Sequence, residues 1–163
     1  MLEGLAPVIA PDARLVVLGS FPGVASLAAQ EYYGHPRNAF WRLLSALWGE
    51  DLVASDYAGR LAALRRRRIG LWDVYRACER EGSLDSAIRT PAPNDLARLR
   101  ALAPGLRAVA HNGGESARAR RLTAALGVDV HALPSSSPAH ASWSFERKLA
   151  AWRAVFSRYD DAS

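Results

Sequence analysis

With 163 residues, half of them hydrophobic and 23% charged, the chain has the length and balance of one globular domain, 1–163, and is too short for two comfortable ones. Cys78 is the only cysteine, which excludes an intramolecular disulfide and an all-cysteine zinc or iron–sulfur site, and no apolar run approaches the ~20 residues of a membrane-spanning helix. The net charge of +5 is carried almost wholly by arginine, Lys148 being the only lysine; that suits a polyanion such as nucleic acid, although a preference for arginine codons accounts for it equally well.

The opening stretch, MLEGLAPVIAPDAR, has no basic leader followed by an apolar core, so a soluble, cytoplasmic protein is expected. Residues 14–19 (RLVVLG) form a nearly continuous apolar run, the pattern of a strand buried on both faces of a parallel sheet. Ser20-Phe21-Pro22-Gly23 follows at once, a turn in which proline fixes φ and glycine permits an unusual backbone or a close ligand approach. A helix is expected over 38–48, led by Asn38, with Phe40, Leu43, Leu44 and Leu47 at helical spacing. Another is expected over 57–67; the arginines at 65–68 read as a solvated helix end whose cations favour the dipole, with phosphate contact as the alternative.

Residues 69–74 (IGLWDV) give a second strand and lead into a long connection, 75–93, that contains Gly82-Ser83-Leu84-Asp85-Ser86. Connections of that length in compact domains are more often functional than idle. Beyond it a helix is expected over 94–102 with Asn94 as its cap, then a third strand over 106–110 ending in His111-Asn112-Gly113-Gly114. A helix over 115–126, closed by Gly127, precedes a fourth strand over 128–133. After Pro134-Ser135-Ser136-Ser137-Pro138-Ala139-His140-Ala141 the last helix runs over 142–156, with Trp143, Leu149, Trp152 and Phe156 as core contacts, and the 158–163 tail is expected to fray. Buried strands alternating with helices imply an α/β fold, a three-layer α/β/α sandwich with a central, mostly parallel four-stranded sheet.

In such sheets ligands sit beyond the carboxyl ends of the strands. The unusual residues gather there: Ser20 to Gly23, Trp72-Asp73, Asn112-Gly113, and Pro134 to His140. GSFPG does not fit GxGxxG, and no GxxxxGK[ST] loop, GxSxG elbow or histidine pair at metal-ligand spacing is present, so neither a cofactor nor a metal is expected. Aromatic faces, amides and backbone donors with one histidine suit a flat heterocycle, stacked on its face and read along its edge.

The chain resembles the uracil-DNA glycosylase superfamily, and most closely its hypoxanthine-DNA glycosylase branch. The matching segments are Gly19 to Gly23, Tyr32-Tyr33-Gly34-His35-Pro36-Arg37-Asn38-Ala39-Phe40-Trp41, Ile69 to Val74, Gly82 to Ser86, Asn112-Gly113, and Leu133 to Ala141, spanning nearly the whole chain in the family's order. The resemblance implies a monofunctional repair enzyme, a monomer acting on DNA without a cofactor, that extrudes a deaminated base and hydrolyses its N-glycosidic bond. It also carries one departure: Phe21 stands where mismatch-specific relatives place a water-orienting Asn, and the hypoxanthine branch shares that loss.

On the same resemblance Asn38 is the catalytic amide that holds water against the anomeric carbon, and His140 a second catalytic group that stabilises the departing base; Asn38 suits a plain helix N-cap as well. Tyr33 is the stacking ring, Asn112 the reader of the base edge, and Phe21, Ser20 and Gly19 the wall of the base pocket. Ser135, Ser136 and Ser137, with His35 and Arg37, are the expected phosphate contacts. Asp73 and Asp85 are auxiliary candidates, either as a carboxylate that activates water or as groups that cap loops and orient His35 and Arg37. Competing functions are the same reaction with uracil or xanthine preferred, a non-catalytic nucleic-acid-binding module on this fold, and hydrolysis of free inosine. With no lysine near the motifs, no Schiff-base strand cleavage is expected.

Overall fold

The structure is a computed structural model that describes residues 1–160. In chain order its elements are β1 (Leu2–Glu3), β2 (Leu15–Gly19), α1 (Val24–Ala29), α2 (Phe40–Trp48), α3 (Tyr57–Arg66), β3 (Ile69–Asp73), β4 (Tyr75–Glu79), β5 (Arg89–Pro93), α4 (Leu99–Leu102), β6 (Ala108–Asn112), α5 (Gly114–Ala117), α6 (Arg120–Ala124), β7 (Asp129–Leu133) and α7 (Phe145–Phe156). β3, β2, β6 and β7 lie side by side in that order, all parallel, with Leu15 facing Ile69 on one neighbour and Ala108 on the other.

Why β2, β3 and β6 read as unbroken apolar runs is visible in the layers. Every residue of these three strands is buried. Successive side chains of a strand point to opposite faces. Leu15 and Val17 therefore join one core with Phe40, Leu43, Leu44, Leu64 and Trp152, while Val16 and Leu18 join the other with Trp72, Leu96 and Leu99. This is the α/β fold with a parallel four-stranded sheet that the spacing of the strands predicts.

Several boundaries differ. The connection over 75–93 is not a loop: β4 and β5 pair antiparallel, and β1 pairs with β4, giving a second, three-stranded sheet. Register shifts between Tyr75, Ala77 and Glu79 break the period-2 signal there, and the two prolines of β5 conceal it further. The helix expected over 94–102 is a 3-10 turn at Leu96–Arg98 followed by α4; its cap is Asp95, whose carboxylate accepts from the Ala97 N–H at 3.2 Å. Asn94 instead donates to the Asp73 carbonyl at 2.8 Å. The third strand runs two residues further than the apolar count suggests, so His111 and Asn112 are strand residues. The helix expected over 115–126 is divided into α5 and α6, and α1 was not apparent in the sequence.

The arginine run is tied to acids rather than merely solvated: Arg66 and Arg67 pair with Glu50 at 3.0 and 3.2 Å, and Arg68 lies 3.6 Å from Asp12. The tail expected to fray is anchored through residue 160. Tyr159 is buried, donates to Asp129 at 2.8 Å and lies 2.6 Å from His131 Nε2, while Asp160 sits 3.6 Å from Arg67. Residues 161–163 of that expectation lie outside the described ones. No helix among the described residues is long and apolar enough to cross a membrane.

Candidate active site

A cavity of about 760 Å³ opens beyond the carboxyl ends of β2, β3 and β6, between the start of α2 and the serine-rich loop after β7. Every site residue expected from the sequence lines it, from Gly19 and Ser20 to His140. What each can do there depends on the hydrogen bonds it already makes.

The turn before α2 is fixed from several sides. Tyr32 is buried and donates through its hydroxyl to the Ala6 carbonyl at 2.8 Å, and the Trp41 indole donates to the Tyr32 carbonyl at 3.3 Å. Tyr33 takes a positive φ of 56°, uncommon for a large side chain, and its ring centroid lies 6.3 Å from that of Tyr32 with the planes tilted by 45°. Phe40 lies parallel to the Tyr33 ring with 4.0 Å between centroids and occupies one of its faces. Asn38 accepts the Phe40 N–H on Oδ1 at 3.0 Å; the N-cap position of α2 is Ala39, so Asn38 is not the cap the sequence also suited, but this bond fixes the direction of its amide. His35 Nδ1 accepts the Arg37 N–H at 3.0 Å, and both side chains stand exposed at the rim.

Asn112 is already committed. Its Oδ1 accepts the Ser136 N–H at 2.9 Å, and its Nδ2 donates to Ser136 Oγ at 2.9 Å and to the Tyr33 hydroxyl at 3.3 Å. Both amide hydrogens are spent, so the expectation that Asn112 reads a base edge meets a side chain that instead pins the serine-rich loop. Ser136 is 1% exposed and its carbonyl accepts the Ala39 N–H at 2.9 Å, which ties the same loop to the start of α2. Ser136 lines the cavity but is nearly buried, and its backbone and Oγ are engaged by Asn112 and Ala39. Ser135 and Ser137 each accept the backbone N–H two residues on, at 3.1 and 3.2 Å, and keep their hydroxyl hydrogens for a ligand. Gly113, at φ 96°, lets Ser135 approach closely, since a Cβ there would lie 3.1 Å from that of Ser135.

The carboxylates are better placed than the sequence suggests. Asp73 ends β3 opposite Gly19 on β2, and a Cβ on Gly19 would stand 2.5 Å from Asp73 Oδ1. Asp73 is 5% exposed, and its Oδ2 is buried without a hydrogen-bond partner. Burial first, then the like charge of Asp85, pushes its carboxyl up to about 7 against the pull of Arg80. Asp85 accepts from Ser20 Oγ at 2.6 Å, and burial raises it too. The same burial, then the charge of Asp73, raises the Tyr33 phenol, keeping it a neutral donor. Among the described residues neither acid bonds His35 or Arg37, so the expected orienting role is not seen.

One further residue at the site, Arg80, was not singled out from the sequence. Arg80 donates to the Pro22 carbonyl at 2.6 Å and the Gly82 carbonyl at 2.7 Å, lies 5.2 Å from the Phe21 ring centroid, and leaves Nη1 buried without a partner. Phe21, 7% exposed, is thus held as a wall. His140, whose backbone N–H donates to the Ser137 carbonyl at 3.0 Å, turns a buried, unpartnered Nδ1 within the loop. Among the described residues no group of three His, Cys, Asp or Glu side chains is placed to hold a metal.

The chain as a whole is similar to known proteins. A family model described as the uracil DNA glycosylase superfamily matches residues 6–157. The chain is 40% identical over 156 residues to a hypoxanthine DNA glycosylase of Methanosarcina barkeri, covering 96% of this chain and 98% of that one. It is 39% identical over 154 residues to a hypoxanthine DNA glycosylase of Methanosarcina acetivorans, covering 94% and 97%. It superposes with a TM-score of 0.87 and 38% identity on the solution NMR structure of a candidate uracil DNA glycosylase from Methanosarcina acetivorans, over 96% of this chain and 97% of that one.

Proposed function

The chain belongs to the uracil DNA glycosylase superfamily, and on that premise we propose that this DNA glycosylase removes hypoxanthine from deoxyinosine in DNA, leaving an abasic site. The observation that carries the choice of base is the buried, unpartnered Oδ2 of Asp73 inside the cavity. Hypoxanthine presents a ring N–H at position 1 where adenine presents a lone pair. A carboxylate accepts from the first and repels the second, and a buried polar group left unpaired costs about 1–3 kcal/mol. Guanine and thymine carry a comparable N–H, but extruding a correctly paired base costs more than extruding a mispaired one.

In this reading Asp73 takes the edge-reading role and Asn112 holds the loop that closes over the base. Tyr33 offers the flipped ring the face that Phe40 leaves uncovered. Asn38, its Oδ1 aimed by the Phe40 N–H, holds the attacking water with the second lone pair of that oxygen. The N9–C1′ bond breaks with its electron pair leaving on the base, the water oxygen adds to C1′ and releases a proton to solvent, and the base takes up a proton. His140 stands on the loop side of the cavity to stabilise the departing anion. Ser135, Ser137, His35 and Arg37 take the flanking phosphates. We propose a cytoplasmic enzyme that works as a monomer.

A panel of duplexes carrying a single deoxyinosine, deoxyuridine or deoxyxanthosine, scored by alkaline cleavage, tests the proposal. Strongest cleavage at deoxyinosine is expected. A stronger response to deoxyuridine, which shares the N–H edge, would transfer the preference to uracil, and no abasic product from any duplex would overturn the enzyme.

A further inference from the structure

Three charged side chains meet successive points of the turn after β2. Gly19 lies against Asp73, where a Cβ would stand 2.5 Å from Oδ1; Ser20 donates to Asp85 at 2.6 Å; and the Pro22 carbonyl accepts from Arg80 Nη2 at 2.6 Å. Both acids line the cavity and Arg80 does not, so the cation stands behind the lining, against Phe21. It touches neither the base nor the water of the hydrolysis, yet it is built in firmly.

How Arg80 is held determines what it can do. Nε donates to the Gly82 carbonyl at 2.7 Å and Nη2 to that of Pro22, the guanidinium carbon lies 5.2 Å from the Phe21 ring centroid, and Nη1 is buried without a partner. The planar fork is thus fixed to backbone on both the turn and the loop after β4, and it bonds neither carboxylate. It acts on the two acids through space, and a fixed charge in a poorly solvated wall is screened less than one on a mobile surface chain. Its pull toward the ionised form is felt at both Asp73 and Asp85. The other groups that face Asp73 are neutral or negative: Tyr32 and Tyr33 from the turn before α2, and Asp85 from the loop after β4. His140, His35 and Arg37 line the same cavity, and among the described residues none of them bonds either acid. Entry of a base removes water from Asp73 and so favours its protonated form; a cation held in the wall opposes that change.

We propose that Arg80 is a positioning residue for base recognition: clasped between the turn after β2 and the loop after β4, it supplies the fixed positive charge that keeps Asp73 an acceptor for the ring N–H of the base. The proposal rests on the reading of Asp73 as the group that accepts that N–H. Arg80→Gln removes the charge and keeps a donor, whereas Arg80→Lys keeps the charge and gives up the fork. Followed by carbon-13 NMR of the side-chain carboxyls, with Asp73→Asn to assign the signal, Asp73 should titrate near pH 7 in the wild type, about one pH unit higher in Arg80→Gln and within about 0.3 of the wild type in Arg80→Lys. The acidic limb of kcat/KM on a deoxyinosine duplex should move with it, leaving Arg80→Gln about fivefold slower at pH 7 and within about twofold of the wild type at pH 9. In the wild type itself, where the folding of a variant is not in question, the Arg80 Nε resonance should shift with the midpoint of Asp73. A midpoint that stays in place in Arg80→Gln, one that moves as far in Arg80→Lys, or an Arg80 resonance indifferent to the titration of Asp73 would overturn the proposal. A clasp that only stiffened the loops would lower the melting temperature of both variants and leave the titration alone. Absence of base release by the wild type would instead overturn the glycosylase reading, and the carboxyl titration would still decide what Arg80 does.

Discussion

Asp73 and His111 are both buried titratable groups, and burial moves them in opposite directions. The carboxyl of Asp73 is raised from 3.8 to about 7, so its folded form holds a proton that the unfolded chain releases; the stability it contributes is present below 3.8 and lost as pH rises through 7. Asp73→Asn should therefore raise the melting temperature at pH 8 and leave it nearly unchanged near pH 3.5. On the same variant the acidic limb of the kcat/KM profile near pH 7 should vanish. Selectivity for hypoxanthine over adenine should fall by roughly 10- to 100-fold, because an amide can turn either a carbonyl or an amine to the base. A retained limb would assign it to another group. His111, fully buried, has Nδ1 2.9 Å from Ser116 Oγ and Nε2 2.9 Å from Thr123 Oγ1. Ser116 spends its proton on the Leu18 carbonyl at 2.6 Å, so the ring donates from Nδ1. Burial lowers it from 6.5 to about 4; its contribution is present above 6.5 and lost as pH falls through 4. Between those values the slopes of the two groups oppose each other and nearly cancel, so urea titrations of Asp73→Asn should show stability falling as pH falls, and adding His111→Asn should flatten that slope.

Between elements, the end of β6 and the serine-rich loop act as one unit through Asn112. Asn112→Ala leaves the Ser136 N–H and hydroxyl buried without partners and should cost about 2–4 kcal/mol, read as a lower denaturant midpoint at unchanged m-value. A side chain that only read the base would change KM and leave that midpoint alone. The strands of the central sheet were legible because burial on both faces demands unbroken apolar runs, as at LVVL in β2. The second sheet was not, since β5 is exposed, proline-containing and paired through bulges, so neither periodicity nor propensity marks it. The site residues were legible as a set because glycine, proline, serine and asparagine accumulate where strands end. Their partners were not. That Asn112 serves Ser136 or that Arg80 clasps Pro22 depends on contacts between segments 24 and 58 residues apart in the chain, and that Asp73 keeps a bare oxygen depends on what the fold packs around it.

For the whole molecule, the charge of +5 sets how the enzyme meets DNA. Several arginines are engaged internally: Arg66 and Arg67 with Glu50, and Arg60 with the Leu52 and Val53 carbonyls. The free positive surface is smaller than the count implies. Affinity for an undamaged duplex should still fall linearly on a log–log plot against salt, with a slope near −0.9 per phosphate neutralised, and Arg37→Ala should reduce that slope by about one. The most direct test of the central claim is a single-turnover comparison of wild type and Asn38→Ala on a deoxyinosine duplex, following free hypoxanthine while binding is measured in parallel. Stoichiometric release by the wild type and a loss of at least a hundredfold in Asn38→Ala, with binding within a few-fold, is the result expected of an amide that holds the attacking water in this cavity. Equal release by both proteins would contradict it.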